Sequence, residues 1–376
     1  MTPRHLYVHV PFCARRCAYC DFSIAVRTRL PVDDYLDGLA GELTLRLGAP
    51  PPSAARAVAD TIYFGGGTPS RLGGEGIARA LSLLQRWVQP APGAEVTVEA
   101  NPDDVEPVAV AAWRAAGVNR LSLGGQTFSP PALAWMRRTH TVDQIERAVA
   151  TARAGGIVDL SLDLIFALPA GVERDWGADV ARALHLAPTH LSLYGLTVEP
   201  GTPLGRWTAR GEVSEADEER YAREFLHAHD ALAAAGYDHY EVSNFARPGY
   251  RARHNGSYWS GVPYLGVGPA AHGFDGERRR WNLGPYAAWL DAVRAGRDPE
   301  EGSEQRDASA RQAEEVYLGL RTSDGLLLAP GEEDRVDRWV RAGWAVVDRK
   351  RLRLTAAGWL RLDALAADLT AHRSRS

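Results

Sequence analysis

Short apolar segments alternate with amphipathic segments through the first two thirds of the chain. The apolar segments are rich in Leu, Val and Ile and show little polar alternation, which is typical of parallel strands buried on both faces. The predicted strands are His5–Phe12, Thr61–Phe64, Glu95–Glu99, Arg120–Gly124, Asp159–Phe166 and His190–Leu196. The predicted helices between them are Asp33–Leu47, Glu75–Val88, Glu106–Ala116, Thr141–Ala154 and Glu173–Leu186. Repeated βα units predict an α/β fold, a partial (β/α)6 barrel whose chemistry lies at the carboxyl ends of the strands.

The last third of the chain has a different pattern. A charged amphipathic helix is predicted for Ser214–Gly236, and the segment after it is dense in Tyr, Trp, His, Asn and Gly. Residues 297–312 are charged and low in apolar residues, which is typical of a linker. Two helices, a hairpin and a last helix follow, in an order that resembles a winged-helix unit: Glu314–Gly325, Asp334–Gly343, Trp344–Leu354 and Thr355–Leu369. We therefore predict a core barrel at 1–235, an aromatic-rich segment at 236–300 and a small C-terminal helical module at 301–376.

Composition and charge exclude several classes of protein. The chain has 376 residues, of which 45% are hydrophobic, and a net charge of −4. It can therefore form one large domain with smaller ones, and its charge gives no sign of a nucleic-acid partner. The densest basic run is Arg278–Arg280, which we interpret as a solvated face, with a site for propionates or phosphates as the alternative. No apolar stretch approaches the roughly 20 residues of a membrane span.

The cysteines of the chain, Cys13, Cys17 and Cys20, lie together in the segment CARRCAYC directly after the first predicted strand. Thiolates are soft ligands suited to an iron–sulfur cluster, and three of them leave one iron of a cubane cluster open for reaction. Structural zinc is the alternative, with His9 as a fourth ligand. Clustered cysteines without a partner set argue against disulfides, so we expect a reducing, cytoplasmic location.

The spacing C-x3-C-x2-C, with Tyr19 directly before the third cysteine, resembles the hallmark of the radical S-adenosylmethionine (radical SAM) superfamily. The preceding segment, which begins at Tyr7 and reads YVHVPFC, is similar to the branch of oxygen-independent coproporphyrinogen III dehydrogenases and heme chaperones. The resemblance implies a [4Fe-4S] cluster, with SAM on the open iron and cleaved by one electron to a 5′-deoxyadenosyl radical. It also implies that Tyr7 and Tyr19 contribute to cofactor binding.

Glycines or polar residues follow several predicted strands, at the edge where such a barrel binds its ligands. Consecutive glycines let a backbone approach a ligand, and the GGGTP run at 65–69 resembles the superfamily element that contacts the methionine amino group. A lone carboxylate in an apolar strand is costly to bury unless it is bonded. The resemblance assigns the SAM contacts to these residues: Gly66, Gly67 and Thr68 in the run, Glu99 and Asp163 at the ribose, Gln126, Arg138 at the carboxylate, and Thr197 near the adenine.

Two features favour the heme chaperones over the dehydrogenases within this branch. The dehydrogenases have a further cysteine two positions after the third one, where this chain has Phe22. His254 begins the segment HNGSYW, which matches the H-N-x-x-Y-W motif associated with heme binding. Imidazole is a common axial ligand of heme iron, with packing as the alternative role for His254, and His272 is a second candidate ligand. We therefore expect a heme chaperone.

Two other functions stay open at this point. A coproporphyrinogen III dehydrogenase would abstract hydrogen from propionate side chains before decarboxylation. An RNA-modifying radical SAM enzyme would need an added nucleic-acid domain, which the sequence does not show. The expected partners are heme and an acceptor hemoprotein, with respiratory and membrane-associated ones among the candidates, and no nucleic acid. The sequence does not decide whether SAM is cleaved, whether the chain is an enzyme or whether it forms a homodimer.

Overall fold

The computed structural model describes residues 4–374. In chain order, the strands are β1 His5–Val10, β2 Phe12–Cys13, β3 Ala25–Val26, β4 Ala57–Gly66, β5 Val88–Ala100, β6 Arg120–Gln126, β7 Asp159–Phe166, β8 His190–Gly195, β9 Asp238–Glu241, β10 Asn244–Ala246, β11 Leu265–Val267, β12 His272–Phe274, β13 Arg278–Asn282, β14 Glu300–Gln305, β15 Leu326–Leu327, β16 Ala345–Asp348 and β17 Arg351–Leu354. The helices are α1 Val32–Leu47, α2 Gly73–Leu84, α3 Pro107–Ala116, α4 Pro130–Trp135, α5 Val142–Ala154, α6 Trp176–Leu186, α7 Pro203–Ala209, α8 Glu218–Ala234, α9 Arg253–Trp259, α10 Tyr286–Arg294, α11 Ala308–Arg321, α12 Glu333–Arg341, α13 Ala356–Trp359 and α14 Leu362–Arg373.

The central sheet has the strand order β11-β1-β4-β5-β6-β7-β8-β10-β9. The strands from β11 to β8 in this order run parallel, and β10 and β9 are antiparallel at one edge. Leu6, Val8 and Val10 of β1 are all fully buried, as expected for a strand covered on both faces. The predicted strands correspond to β1, β4, β5, β6, β7 and β8, so the predicted α/β partial barrel is confirmed.

One predicted boundary, between the second helix and the third strand, is wrong. The helix ends at Leu84 and the strand begins at Val88, whereas the helix was predicted to reach Val88 and the strand to begin at Glu95. Val88 is fully buried and pairs with Ala57 of the neighbouring strand. Pro90, two residues further on, has no amide hydrogen and could not continue a helix. Pairing along β4 therefore extends the strand through a stretch that lacks a clear strand pattern.

Residues 236–300 add strands to both edges of the central sheet. β9 and β10 lie beyond β8, and β11 pairs with β1 through Leu6 and Leu265. The strands β12, β13 and β14 form a small antiparallel sheet, called here the outer sheet. The linker predicted at 297–312 is wrong, because β14 and the start of α11 lie in it. An exposed edge strand can be highly polar, since its charged side chains pair across the sheet, as Glu300 does with Arg278.

The C-terminal module is helical with a small β-ribbon, close to its predicted order. β15, β17 and β16 pair antiparallel, and α14 packs against α11. Val316, Leu320, Trp339, Leu352 and Leu369 form its buried core. Among the helices within residues 4–374, none combines the length and the apolar character that a membrane crossing requires.

Candidate cofactor site at the strand ends

A cavity of 420 Å³ lies at the carboxyl ends of the central parallel strands. Parallel strands bring their carboxyl ends to one edge of a sheet, so residues distant in sequence meet there. The predicted site residues that line the cavity are Cys13, Cys17, Tyr19, Cys20, Gly66, Gly67, Thr68, Glu99, Gln126, Arg138, Asp163 and Thr197. Tyr7 and His254 are not among the residues that line it.

The cysteine loop is held at its base and at its middle. At the base, β2 pairs with β3 through Phe12 with Ala25 and Cys13 with Val26. In the middle, the backbone NH of Ala18 donates to the carbonyl of Met136 at 3.2 Å, and Ala18 accepts a hydrogen bond from the NH of Leu204 at 2.8 Å. The loop therefore has a defined shape in the protein alone.

The thiols have the surroundings expected of ligands to a cluster. Burial raises the pKa of Cys13, and it raises the pKa of Cys20 to about 11. Arg138 Nη1 donates to Cys17 Sγ at 3.3 Å, and Thr68 Oγ1 lies 3.4 Å from Cys13 Sγ. Neutral thiols release their protons when they bind a metal, and the adjacent guanidinium compensates the negative charge of thiolates. The donor set thus fits an iron–sulfur cluster held by soft ligands.

His9, the alternative fourth ligand for zinc, is engaged elsewhere. Its Nδ1 lies 3.2 Å from the hydroxyl of Tyr7, and its Nε2 lies 3.3 Å from the carbonyl of Ser23. The side chain is buried, and burial lowers its pKa to about 4. Both ring nitrogens therefore have partners away from the thiols, which disfavours a zinc site completed by His9.

The glycine run at the end of β4 is required by close packing. Gly66 has φ of 110°, and a Cβ there would lie 2.6 Å from the ring of His9. A Cβ on Gly67 would lie 2.8 Å from the backbone of Pro11. The backbone at 66–67 can thus lie against the cysteine loop only without side chains, which leaves it exposed to a ligand in the cavity.

Two carboxylates face the cavity from neighbouring parts of the sheet. Glu99 accepts hydrogen bonds from the Tyr63 hydroxyl at 2.8 Å and from the Gly66 amide at 3.1 Å. Asp163 accepts from the Ser122 hydroxyl at 3.0 Å and from Ser161 at 3.2 Å. Burial raises the pKa of both, that of Glu99 to about 7, where the charge of Asp163 also contributes. Carboxylates with free acceptor capacity suit paired hydroxyls such as those of a ribose.

Arg138 is held beside the cysteines by backbone and side-chain acceptors. Its Nη2 donates to Asn101 Oδ1 at 2.6 Å and to the carbonyl of Gly124 at 3.0 Å. Its Nε is buried and has no acceptor within the described part of the chain, so it can donate to a ligand carboxylate. Asn101 was missed in the sequence, although it follows Glu99 by two residues at the same strand end, and that position was the available signal.

Tyr7 and His254 lie beneath the cavity, inside the barrel. His254 is 1% exposed, its Nδ1 lies 2.7 Å from Thr61 Oγ1, and its Nε2 lies 2.8 Å from the Tyr258 hydroxyl. Its ring stacks on Tyr63 at 5.0 Å between centroids. Burial lowers the pKa of His254 to about 3. Ligation of a heme iron by His254 would require the ring to leave at least one of these hydrogen bonds and the barrel interior to open.

Phe22 and His272, in contrast, are exposed. Phe22 lines the cavity and is 59% exposed at its mouth, beyond the third cysteine. A side chain at this position therefore borders the space above the cysteine loop. His272 lies away from this cavity, on the outer sheet.

Comparisons with known proteins show which family the chain is similar to. A sequence model described as the radical SAM superfamily matches residues 7–180. Proteins named "Heme chaperone HemW" are similar to most of the chain: that of Mycobacterium tuberculosis H37Rv is 38% identical, covering 98% of this chain and 95% of its own. The protein of the same name from Escherichia coli K12 is 38% identical, with 73% of this chain and 70% of its own covered. The chain belongs to the HemW family of the radical SAM superfamily.

A solved structure shows the same fold as this HemW family member. Coproporphyrinogen III oxidase (HemN) of Escherichia coli, described as a radical SAM enzyme, superposes with a TM-score of 0.80. It is 23% identical, and the match covers 97% of this chain and 89% of that one. The likeness extends over the central sheet, the outer sheet and the C-terminal module alike, and at this identity it concerns the fold alone.

Proposed function

We propose that this protein is a heme chaperone that holds a [4Fe-4S] cluster and SAM, binds heme and transfers it to an acceptor hemoprotein. The observation that carries the proposal is Phe22 at the mouth of the cavity, where dehydrogenases of this branch have a further cysteine. The relatives named as heme chaperones, similar over almost the whole chain, support it. Free thiols in the cysteine loop are compatible with a reducing, cytoplasmic setting.

The residues at the strand ends would hold the cofactors. Cys13, Cys17 and Cys20 would bind the cluster, which supplies one electron and an open iron position when bound. The backbone at 66–67 and the Nε of Arg138 face the region where the amino and carboxylate groups of SAM would lie. Glu99 and Asp163 would accept the ribose hydroxyls, and Gln126 and Thr197 would border the nucleoside.

The second candidate, an oxygen-independent coproporphyrinogen III dehydrogenase, is favoured by the fold shared with the Escherichia coli enzyme. The two functions place different demands on the same site. A dehydrogenase must convert coproporphyrinogen III, whereas a chaperone must bind heme reversibly and release it to another protein. The loss of a cysteine at position 22 is the difference within the site that favours the chaperone.

The deciding experiment uses anaerobically reconstituted protein. We expect heme titration to give a Soret band with a saturable end point, and we expect no conversion of coproporphyrinogen III in the presence of SAM and a reductant. Cys17→Ala, which lacks one cluster ligand, is the control for both assays. The opposite result is a wild-type protein that converts coproporphyrinogen III steadily, loses this activity in Cys17→Ala and binds no heme. This result would contradict the chaperone function and support the dehydrogenase function.

A further inference from the structure

Helix α9, which contains the HNGSYW motif, is fixed against the central sheet at its first residues. The carboxylate of Glu95 on β5 accepts hydrogen bonds from the backbone NH groups of Arg253 at 2.8 Å and His254 at 2.9 Å. The Nδ1 atom of His254 lies 2.7 Å from Thr61 Oγ1 on β4, and its Nε2 atom lies 2.8 Å from the Tyr258 hydroxyl. The imidazole therefore has one orientation, which two strands and its own helix set together.

The His254 imidazole lies against the phenol ring of Tyr63. The two ring centroids are 5.0 Å apart, with 22° between the ring planes. Tyr7, the register partner of Tyr63 on β1, contacts the phenol as well, at 6.1 Å between centroids and 22° between planes. Because nearly parallel rings pack through their faces, His254 and Tyr7 together restrict the rotation of the Tyr63 side chain.

The hydroxyl of Tyr63 reaches one of the two carboxylates that face the cavity. It donates to Glu99 Oε1 at 2.8 Å, while the amide of Gly66 donates to Glu99 Oε2 at 3.1 Å. Gly65 permits this arrangement, because a Cβ there would lie 2.9 Å from the rings of Tyr63 and Tyr7 and 3.1 Å from Glu99 Oε1. The first glycine of the GGGTP run thus lets the two rings and the carboxylate pack together.

The two hydrogen bonds leave part of the acceptor capacity of Glu99 for a ligand. An ionised carboxylate has about four acceptor sites, and Tyr63 and Gly66 occupy one site on each oxygen. Glu99 lines the cavity, so the remaining capacity of each oxygen is available to a ligand there, and two adjacent hydroxyls match it. A carboxylate held at both oxygens is oriented before the ligand arrives, so less loss of side-chain entropy opposes binding.

We propose that His254 and Tyr63 are positioning residues of the cofactor site. The imidazole supports the phenol, and the phenol hydroxyl holds Glu99 in the orientation in which it accepts the ribose hydroxyls of SAM. This inference rests on the proposed function, in which SAM occupies the cavity, and it gives the HNGSYW motif a role in SAM binding. Each step is a direct contact, ring to ring and then hydroxyl to carboxylate, so the barrel interior does not have to open.

The experiment measures the binding of SAM and of its 2′,3′-dideoxyribose analogue to anaerobically reconstituted protein, by calorimetry at pH 8. Wild type should bind SAM more tightly, since the analogue cannot donate to Glu99. Tyr63→Phe, which removes only the hydroxyl, should reduce this preference by about threefold to tenfold and have no further effect in a Glu99→Ala background. Tyr237→Phe is the matched control, because the Tyr237 hydroxyl also donates within the protein, to the carbonyl of Pro188 before the amino end of β8.

Two substitutions of His254 separate the packing of its ring from its hydrogen bonds. His254→Phe retains a flat ring against Tyr63 and should keep the preference for SAM. His254→Ala leaves the phenol unsupported and should lower the preference to that of Tyr63→Phe. A role in stability alone would weaken the binding of both ligands equally, and that result would overturn the proposal. Absence of SAM binding by wild type would instead remove the proposed function on which the inference rests.

The pH dependence of the preference is a second readout of the contact between the hydroxyl and the carboxylate. The hydrogen bond from Tyr63 lowers the pKa of Glu99, against the larger effect of burial, which raises it. In Tyr63→Phe, the preference for SAM should therefore disappear at a higher pH than in wild type as the pH is lowered from 9 to 6. Profiles of Tyr63→Phe and wild type that coincide would show that the hydroxyl does not act on Glu99, and the proposal would be wrong.

Discussion

The strand-end cavity and the barrel interior around His254 each contain a sequence motif associated with a ligand. The two regions differ in how the polar groups of the motif are bonded. At the strand ends, cysteines, glycines and carboxylates from separate strands meet around open space. Around His254, the imidazole is hydrogen-bonded to Thr61 and Tyr258 and stacks on Tyr63. A motif thus indicates a ligand site most directly where the topology leaves its polar groups unpaired.

The two regions are nonetheless coupled through one side chain. Tyr63 stacks on His254, and its hydroxyl donates a hydrogen bond to Glu99, so it connects the interior with the cavity above it. Distance along the chain would suggest that the HNGSYW motif is independent of the cofactor site. The structure instead places His254 directly below the carboxylate assigned to the ribose, and substitutions at His254 can therefore affect Glu99.

The largest expected effect is on the iron content, which should depend on the cysteine loop and not on His254. Cys17→Ala should abolish the cluster, because two thiolates do not hold a cubane, whereas His254→Gln should retain about four irons per chain. Iron and sulfide assays after anaerobic reconstitution, with the charge-transfer absorption, measure this. Wild-type protein that binds stoichiometric zinc and no sulfide would contradict the cluster assignment.

The two regions should also respond to pH with opposite signs. The pKa of Glu99 is raised from 4.5 to about 7, so the native state holds a proton that the unfolded state has lost, and its contribution to stability falls as pH rises through this window. The pKa of His254 is lowered from 6.5 to about 3, so its contribution falls as pH decreases below about 6.5. For Glu99 the full effect is on the order of 3 kcal/mol.

Denaturant unfolding of the apoprotein between pH 4.5 and 8 tests these signs. The unfolding free energy of Glu99→Gln minus that of wild type should increase from pH 4.5 to 7. The corresponding difference for His254→Gln should decrease as pH rises from 4.5 to 6.5. Differences that do not depend on pH would show that neither group is held in its neutral form.

A third test concerns ligand binding at one strand end. At pH 8, above the raised pKa of Glu99, the carboxylate is ionised, and Glu99→Gln should weaken SAM binding by about 1–3 kcal/mol, the usual cost of losing a hydrogen bond to a charged group. Calorimetry on reconstituted protein measures this, with the iron content as the control for an intact cluster. Unchanged affinity in both Glu99→Gln and Arg138→Gln would show that SAM binds elsewhere.

Glu95, on the same strand, provides the matched comparison with the smallest effect. Its carboxylate accepts hydrogen bonds from the backbone NH groups of Arg253 at 2.8 Å and His254 at 2.9 Å, at the start of α9. Glu95→Gln should cost about 1 kcal/mol of stability, as expected for a lost helix-terminus interaction, and leave SAM binding unchanged. If Glu95→Gln weakened SAM binding as much as Glu99→Gln, the assignment of SAM binding to the strand ends alone would be wrong.

The sequence predicted which residues meet at the strand ends, because parallel topology follows from periodicity. Once buried strands alternate with helices, the carboxyl ends must share an edge, and residues such as Glu99 and Asp163 are brought together. It predicted the contents of the interior less well. Whether His254 faces a ligand or Thr61 depends on how α9 packs against β4, and a local motif does not contain that information.

Other differences from the expected structure have the same origin in pairing between distant segments. β14 is nearly all polar, and only its register with β13 makes it a strand. Val88 lies in a strand because β4 extends alongside it. The contact of the Tyr7 hydroxyl with His9 was likewise not predicted from the sequence, and the assignment of Tyr7 to the cofactor stays a prediction. Each outcome depends on a partner that lies tens of residues away in the sequence.

The paired ends of the cysteine loop have a consequence for the order of assembly. Because β2 and β3 join its two ends and Ala18 anchors its middle, the conformational entropy of closing the loop is lost when the protein folds. For the proposed cluster, iron and sulfide would meet ligands that the fold has already brought together, so less ordering would oppose their binding. Folding of the chain would then not have to wait for the cluster.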